Sequence, residues 1–245
     1  VDDGGFDDAQ NKPITWAQLL QQTSEWQGTL WSKPDWIDHN RDLDAQAGEG
    51  TLKGKTRDMQ TPGTFWEYND VRVNRLALAL LRVWKRPLPE VIKERVMDPI
   101  GASTDWEWHG YENSWVDIDG KKIQSVSGGS HWGGGMFISS RDQARTGLLM
   151  ARGGAWNGKK LISDNYIGQA TTPCPINADY GYLWWLNGAG GSAPSAPRTS
   201  YFAKGKGSNV IWVDPELDMV AVVRWIERDA FDGFCAAVMN AVRKT

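Results

Sequence analysis

From Val71 to Trp84 the chain reads Val-Arg-Val-Asn-Arg-Leu-Ala-Leu-Ala-Leu-Leu-Arg-Val-Trp. Leu76, Leu80, Val83 and Trp84 fall on one side at helical spacing, with more leucines between them. A helix this apolar must be covered on most of its faces, so the chain has to wrap other elements around it. Pro87 stops it, a second helix is expected from about Pro89 to Met97, and Asp98-Pro99-Ile100-Gly101 ends that one. Upstream, Thr15 is an N-cap candidate for a short helix that begins Trp16-Ala17-Gln18-Leu19-Leu20. Residues 33–63 are polar with no sustained period and read as a long surface loop over the helical layer.

From Ser114 the pattern becomes extended. Two such runs, 114–118 and 121–126, flank Asp119-Gly120, which is a hairpin turn signal. Asp117-x-Asp119-Gly120 lacks the further ligands of a calcium loop. Ser140-Arg141-Asp142-Gln143 opens a helix that ends at Gly153-Gly154, and another short helix starts near Ser163. Strands are expected at 180–186, 200–204, 209–213 and 218–225, then a closing helix from Phe231 to Arg243. The whole is an α+β arrangement: residues 1–174 form a mostly helical subdomain, and 175–245 a strand meander with its closing helix.

Composition excludes several function classes. Lys and Arg number 27 against 30 for Asp and Glu, which leaves no electrostatic footprint for nucleic acid. No apolar run approaches the roughly 18 residues of a membrane span, and the first residues lack the basic and apolar regions of a signal peptide. Cys174 and Cys235 allow one bridge or two free thiols. The histidines, at 39, 109 and 131, have no metal-ligand spacing, and nothing calls for a metal or cofactor. The 15 tryptophans fit either heavy core packing or aromatic platforms for a ligand.

Five blocks, in order, carry a resemblance. They are Ile14 to Trp26; Tyr68-Asn69-Asp70 ahead of the leucine-rich helix; Val96-Met97-Asp98-Pro99-Ile100-Gly101; Trp132-Gly133-Gly134-Gly135 through Arg141-Asp142-Gln143-Ala144-Arg145; and Ala203-Lys204-Gly205-Lys206-Gly207 followed by Val213 to Val220. Together they resemble the β-lactamase-related serine hydrolases, the bacterial group of class C β-lactamases, D-Ala-D-Ala peptidases and family VIII-type esterases. The resemblance implies a helical subdomain plus an antiparallel sheet with a C-terminal helix, and a periplasmic or secreted enzyme acting through an acyl-enzyme.

Such chemistry needs a hydroxyl nucleophile, a base, a cation that favours the base's ionised form, and N–H donors for the oxyanion. The family's nucleophile and lysine come as Ser-x-x-Lys, and no Ser or Thr here is followed three residues later by Lys. The family places that motif upstream of the block at 14–26. The chain therefore reads as the C-terminal portion of such a hydrolase, its missing segment supplied as a separate chain or by a swapped partner. By the resemblance Tyr68 is the phenolic base, and Asp70 stands where the family has Asn. An ionised Asp only accepts hydrogen bonds, which favours pairing with a lysine over recognition of a substrate amide.

Gly205 matches the glycine of the family's last strand, which puts Ala203 where Lys or His is usual and makes the Lys206 N–H an oxyanion donor. Lys204 and Lys206 flank that glycine, and either is a candidate to add charge to the substrate cleft; His131 and Trp132 either line the acyl pocket or pack beneath the glycine loop. The expected substrate is a small-molecule ester or amide. The competing reading is a non-catalytic, Trp-rich ligand-binding module that keeps vestigial hydrolase motifs.

Overall fold

In a computed structural model of the chain, residues 3–43, 52–128, 135–191 and 193–242 are described. The chain forms two compact units, Val1–Lys93 with Glu107–Phe137, and Glu94–Trp106 with Ile138–Thr245.

The first unit is built around the apolar helix. Thr15 closes a capping box on α1, Trp16–Leu20. Helix α2 spans Asp70–Trp84 and ends on Lys85, whose φ of 51° is left-handed and whose N–H returns to Leu81 O at 2.8 Å. A short helix α3, Leu88–Ile92, runs on into a wide turn at Lys93–Met97. Strand β1, Glu107–Ile118, pairs antiparallel with β2, Lys121–Val126, and with β3, Gly135–Phe137. Asp119 and Gly120, both at positive φ, make the tight hairpin turn that the sequence signals. At the bulge between Gly110 and Trp115 a Cβ on Gly110 would lie 2.1 Å from Ser125 O, so only glycine fits.

Val71, Leu78 and Leu81 of α2 pack with Trp26, Leu30, Leu88, Ile118, Ile123 and Val126 into one core. A fully buried leucine such as Leu81 contributes about 2 kcal/mol there. The expected burial of α2 holds along most of its length but not at its end, where Val83 is 57% exposed and Trp84 41%. Val83 lies about 200° round the helix from Leu81, away from the face that β2 covers. Residues 33–63 are not simply a surface loop either, since Asp35, Asp38 and His39 are buried.

The second unit is a helix, sheet, helix sandwich. Helix α4, Ser140–Ala151, is capped by Ser139, and α5, Asp164–Ala170, by Ser163. The antiparallel sheet runs β7-β6-β5-β4, with β4 at Trp185–Leu186, β5 at Tyr201–Gly205, β6 at Asn209–Asp214 and β7 at Met219–Val223. On one face α4 approaches closely: a Cβ on Gly147 would sit 2.7 Å from Val220 and 2.9 Å from Ile211. On the other, α6, Phe231–Ala241, packs Phe231 and Cys235 against Phe202, Val210 and Trp212.

Strand β4 is far shorter than the expected 180–186, because Gly181 N–H bonds back to Trp184 O at 2.8 Å around Leu183 at φ 60°. Both cysteines are free, buried thiols. Helices α4 and α5 belong to the same compact unit as the strands β4 to β7, and the first unit carries a sheet of its own. No helix among the described residues is long and apolar enough to cross a membrane.

Candidate active site

Tyr68 directly precedes the N-cap of α2. The Asn69 side-chain oxygen accepts from Val71 N at 3.0 Å and Arg72 N at 3.2 Å, and its amide donates to Asp35 O at 2.9 Å. Its own backbone N–H donates to Gln22 Oε1 at 3.2 Å. Four bonds to three segments fix the backbone beside the phenol.

Asp70, in the first turn of α2, sits where a helix dipole favours negative charge. Arg41 Nη1 donates to its Oδ2 at 2.8 Å, and Asp70 N donates to Asp38 Oδ2 at 2.9 Å. Lys53 Nζ lies 3.0 Å from Asp38 Oδ1. Among the described residues, Arg41 therefore places a cation directly on Asp70. The Arg41 guanidinium carbon also stands 5.1 Å from the centre of the Tyr68 ring. Burial pushes the Tyr68 phenol up to about 12, with the carboxylates of Asp70 and Asp38 adding to the shift and Arg41 opposing it. At neutral pH the group is a phenol.

Behind Tyr68 lies an ion network that no local sequence signal announces. Arg57 donates to both oxygens of Glu25 at 2.7 Å and to Glu67 Oε2 at 2.7 Å. Arg72 donates to Glu25 Oε1 at 2.6 Å and to Trp26 O at 3.1 Å, and lies 3.5 Å from Asp35. His39 Nε2 is 2.9 Å from Asp35 Oδ2, and Glu67 accepts from Asn40 N at 2.8 Å. Charges out of water are tolerated only when paired this fully. The network ties segments 22–26, 35–40 and 57–60 to the start of α2, next to Tyr68.

Lys204, Gly205 and Lys206 belong to the second unit. Side chains alternate along β5, so Phe202 and Lys204 share one face while Tyr201 and Ala203 share the other. Lys204 Nζ lies 5.3 Å from the centre of Phe202 and 5.6 Å from those of Trp185 and Phe231. Its ammonium is thus turned to the α6 face. Gly205 ends the strand opposite Asn209, and Lys206 is exposed in the following turn, where its carbonyl accepts from Asn209 Nδ2. A Cβ on Gly205 would meet nothing nearer than Asn209 O at 3.6 Å. Packing alone does not demand glycine at that position. His131 and Trp132 lie outside the described residues.

A sequence profile of the Beta-lactamase family matches residues 5–227. The chain belongs to the Beta-lactamase family. Among curated proteins it is 23% identical over 198 residues to a Salmonella paratyphi B chain named "Putative D-alanyl-D-alanine carboxypeptidase". That match covers 66% of this chain and 45% of the relative, so the chain spans less than half the length of the curated relatives it matches. Among solved structures, a penicillin-binding protein homologue from Caulobacter crescentus superposes with a TM-score of 0.64 at 13% identity, over 97% of this chain and 74% of that one. A penicillin-binding protein from Bacillus halodurans gives 0.56 at 19%, over 93% and 72%. At such identities these likenesses establish the fold, which is that of the β-lactamase and penicillin-binding proteins.

Proposed function

We propose that this chain is part of a serine hydrolase that cleaves a small-molecule ester or amide through an acyl-enzyme. The observation that carries the reading is Tyr68, a partly buried phenol held directly ahead of the N-cap of α2 with a guanidinium over its ring, in a Beta-lactamase-family chain. Tyr68 is assigned as the group that exchanges a proton with the serine. A phenol with so high a pKa needs an added cation to serve as a base near neutrality, and the family's lysine is the natural one.

The serine and that lysine are assigned to polypeptide beyond these 245 residues, since no Ser-x-x-Lys occurs within them. The edge of the second unit's sheet supports this. Strand β7, Met-Val-Ala-Val-Val, is apolar throughout and pairs only with β6 among the described residues. An uncharged edge strand of this kind accepts a further strand readily. The Lys206 N–H is assigned as an oxyanion donor, with Gly205 leaving room for a ligand to approach the backbone. Asp70, which accepts only, makes an ester the better substrate than a lactam.

A second reading rests on the tryptophans. Trp115 is 54% exposed and Trp225 73%, as a non-catalytic ligand-binding module would require. The test is to express the complete gene product, label it with a fluorophosphonate and locate the adduct by mass spectrometry. Labelling of a serine in a Ser-x-x-Lys motif outside this chain supports the hydrolase. Absence of labelling, together with saturable quenching of Trp fluorescence by sugars, supports the binding module.

A further inference from the structure

A tyrosine that is to lose its proton needs positive charge close by, and the strand position where the family carries that charge is Ala203 here. Lys204, beside it, has its ammonium among Phe202, Trp185 and Phe231. The first unit holds a cation of its own at Tyr68. Arg41 lies 5.1 Å from the ring centre, 2.8 Å from Asp70 Oδ2 and 3.8 Å from Asp38 Oδ1, with 20% of its side chain exposed. Lys53, at 3.0 Å, balances Asp38 from the other side. Among the described residues, Arg41, Asp38 and Asp70 act on the phenol, and Lys53 stands behind Asp38.

We infer that Arg41 is the resident cation of the Tyr68 site, a positioning residue that seats the ring against α2 and biases the phenol toward its ionised form. The inference deepens the assignment of Tyr68 as the proton-transfer group and rests on it. Its physical content is an arrangement of two carboxylates and one guanidinium around an aromatic ring. Asp70 and Asp38 hold Arg41 in place, and the same two carboxylates oppose phenolate formation. Arg41 offsets them. Replacing Asp70 by Asn, the residue usual in the family, would remove one opposing charge and leave Arg41 its contact with Asp38. A guanidinium suits this place better than an ammonium, because its several N–H donors can hold a carboxylate while its charge stays near the ring.

The test uses this chain with 3,5-difluorotyrosine at position 68, whose lowered phenol pKa brings the titration into a range where proteins stay folded. Fluorine NMR follows the midpoint in the parent and in the Arg41→Ala, Arg41→Lys and Asp70→Asn variants. Losing an opposite charge within about 4–6 Å raises such a midpoint by about one pH unit or more, which is the result expected for Arg41→Ala. Arg41→Lys should recover part of the shift, and Asp70→Asn should move the midpoint down. An unchanged midpoint in Arg41→Ala overturns the inference. If Arg41→Ala does not fold, the other two variants decide, and equal midpoints in both overturn it equally. The base assignment stands or falls separately, on whether Tyr68→Phe lowers kcat of the complete protein by about 10² or more.

Discussion

Arg72 donates to Glu25 at 2.6 Å across 47 residues of sequence, and the two side chains are 1% and 0% exposed. The pair is the centre of the network that joins the segment after α1 to the first turn of α2. Glu25 is shared with Arg57, and Arg72 also faces Asp35 and Glu67. Removing the arginine takes one cation from three buried carboxylates, leaving Glu25 and Glu67 with Arg57 and Asp35 with His39.

The first prediction follows from that geometry. Arg72→Met should destabilise the chain by about 3–5 kcal/mol, the range for breaking a buried ion pair by deleting one partner. Urea titration followed by Trp fluorescence would show it as a lower midpoint. Replacing Glu25 by Met as well should cost less than the sum of the single changes. Additive losses would mean that Arg72 acts through packing alone.

A second prediction concerns acid. Burial by itself would raise Glu25, but the hydrogen bond from Arg57, the charge of Arg72 and the Gln60 N–H outweigh it and hold the carboxyl below its ordinary 4.5. Asp142 is likewise held below 3.8 against its burial, by Ser103, Ser139 and Arg145. Folded values lower than unfolded ones give stability that is fully present above the unfolded pKa and lost as pH falls through the folded one. Stability should therefore be insensitive to these two groups between pH 7 and about 5, then decline below about 4.5. In Glu25→Gln the decline should be shallower, and an identical slope would remove Glu25 from the account.

In the complete protein, Tyr68→Phe should lower kcat by about 10² to 10⁴, the usual cost of losing a general base, with a smaller change in KM. Asp70→Asn in the same protein should shift the ester-to-lactam preference toward the lactam. Near-normal kcat in Tyr68→Phe would leave the tyrosine a helix-flanking aromatic.

The cysteines supply a further check. Burial pushes the Cys235 thiol up to about 12, Asp232 adds to this and Lys204 opposes it, and the residue is 0% exposed. Cys174 is 3% exposed. Both should resist a disulfide reagent in the native chain and react with two equivalents after unfolding. Loss of both equivalents in the unfolded, unreduced chain would reveal a bridge between them.

Much of this molecule was written locally. The capping box at Thr15, the turn at Asp119-Gly120, the caps at Ser139 and Ser163 and the start of α6 all lie within a few residues of the signals that mark them. Periods of 3.6 and 2 are short-range properties, so a linear reading detects them. The ordered motif blocks pointed to the family and to Tyr68. Partnership is another matter. Arg41 meets Asp70 across 29 residues and Arg57 meets Glu25 across 32, and a linear pattern does not say which charge will answer which. Nor could it show that polar residues in the expected surface loop, Asp35, Asp38 and His39, are buried. The alternation of β5 was readable, but only the packing of α6 onto one face decided that Lys204 settles among aromatic rings. Local spacing determines which elements form. Desolvation acts on the folded whole, and it alone chooses which charges must find each other.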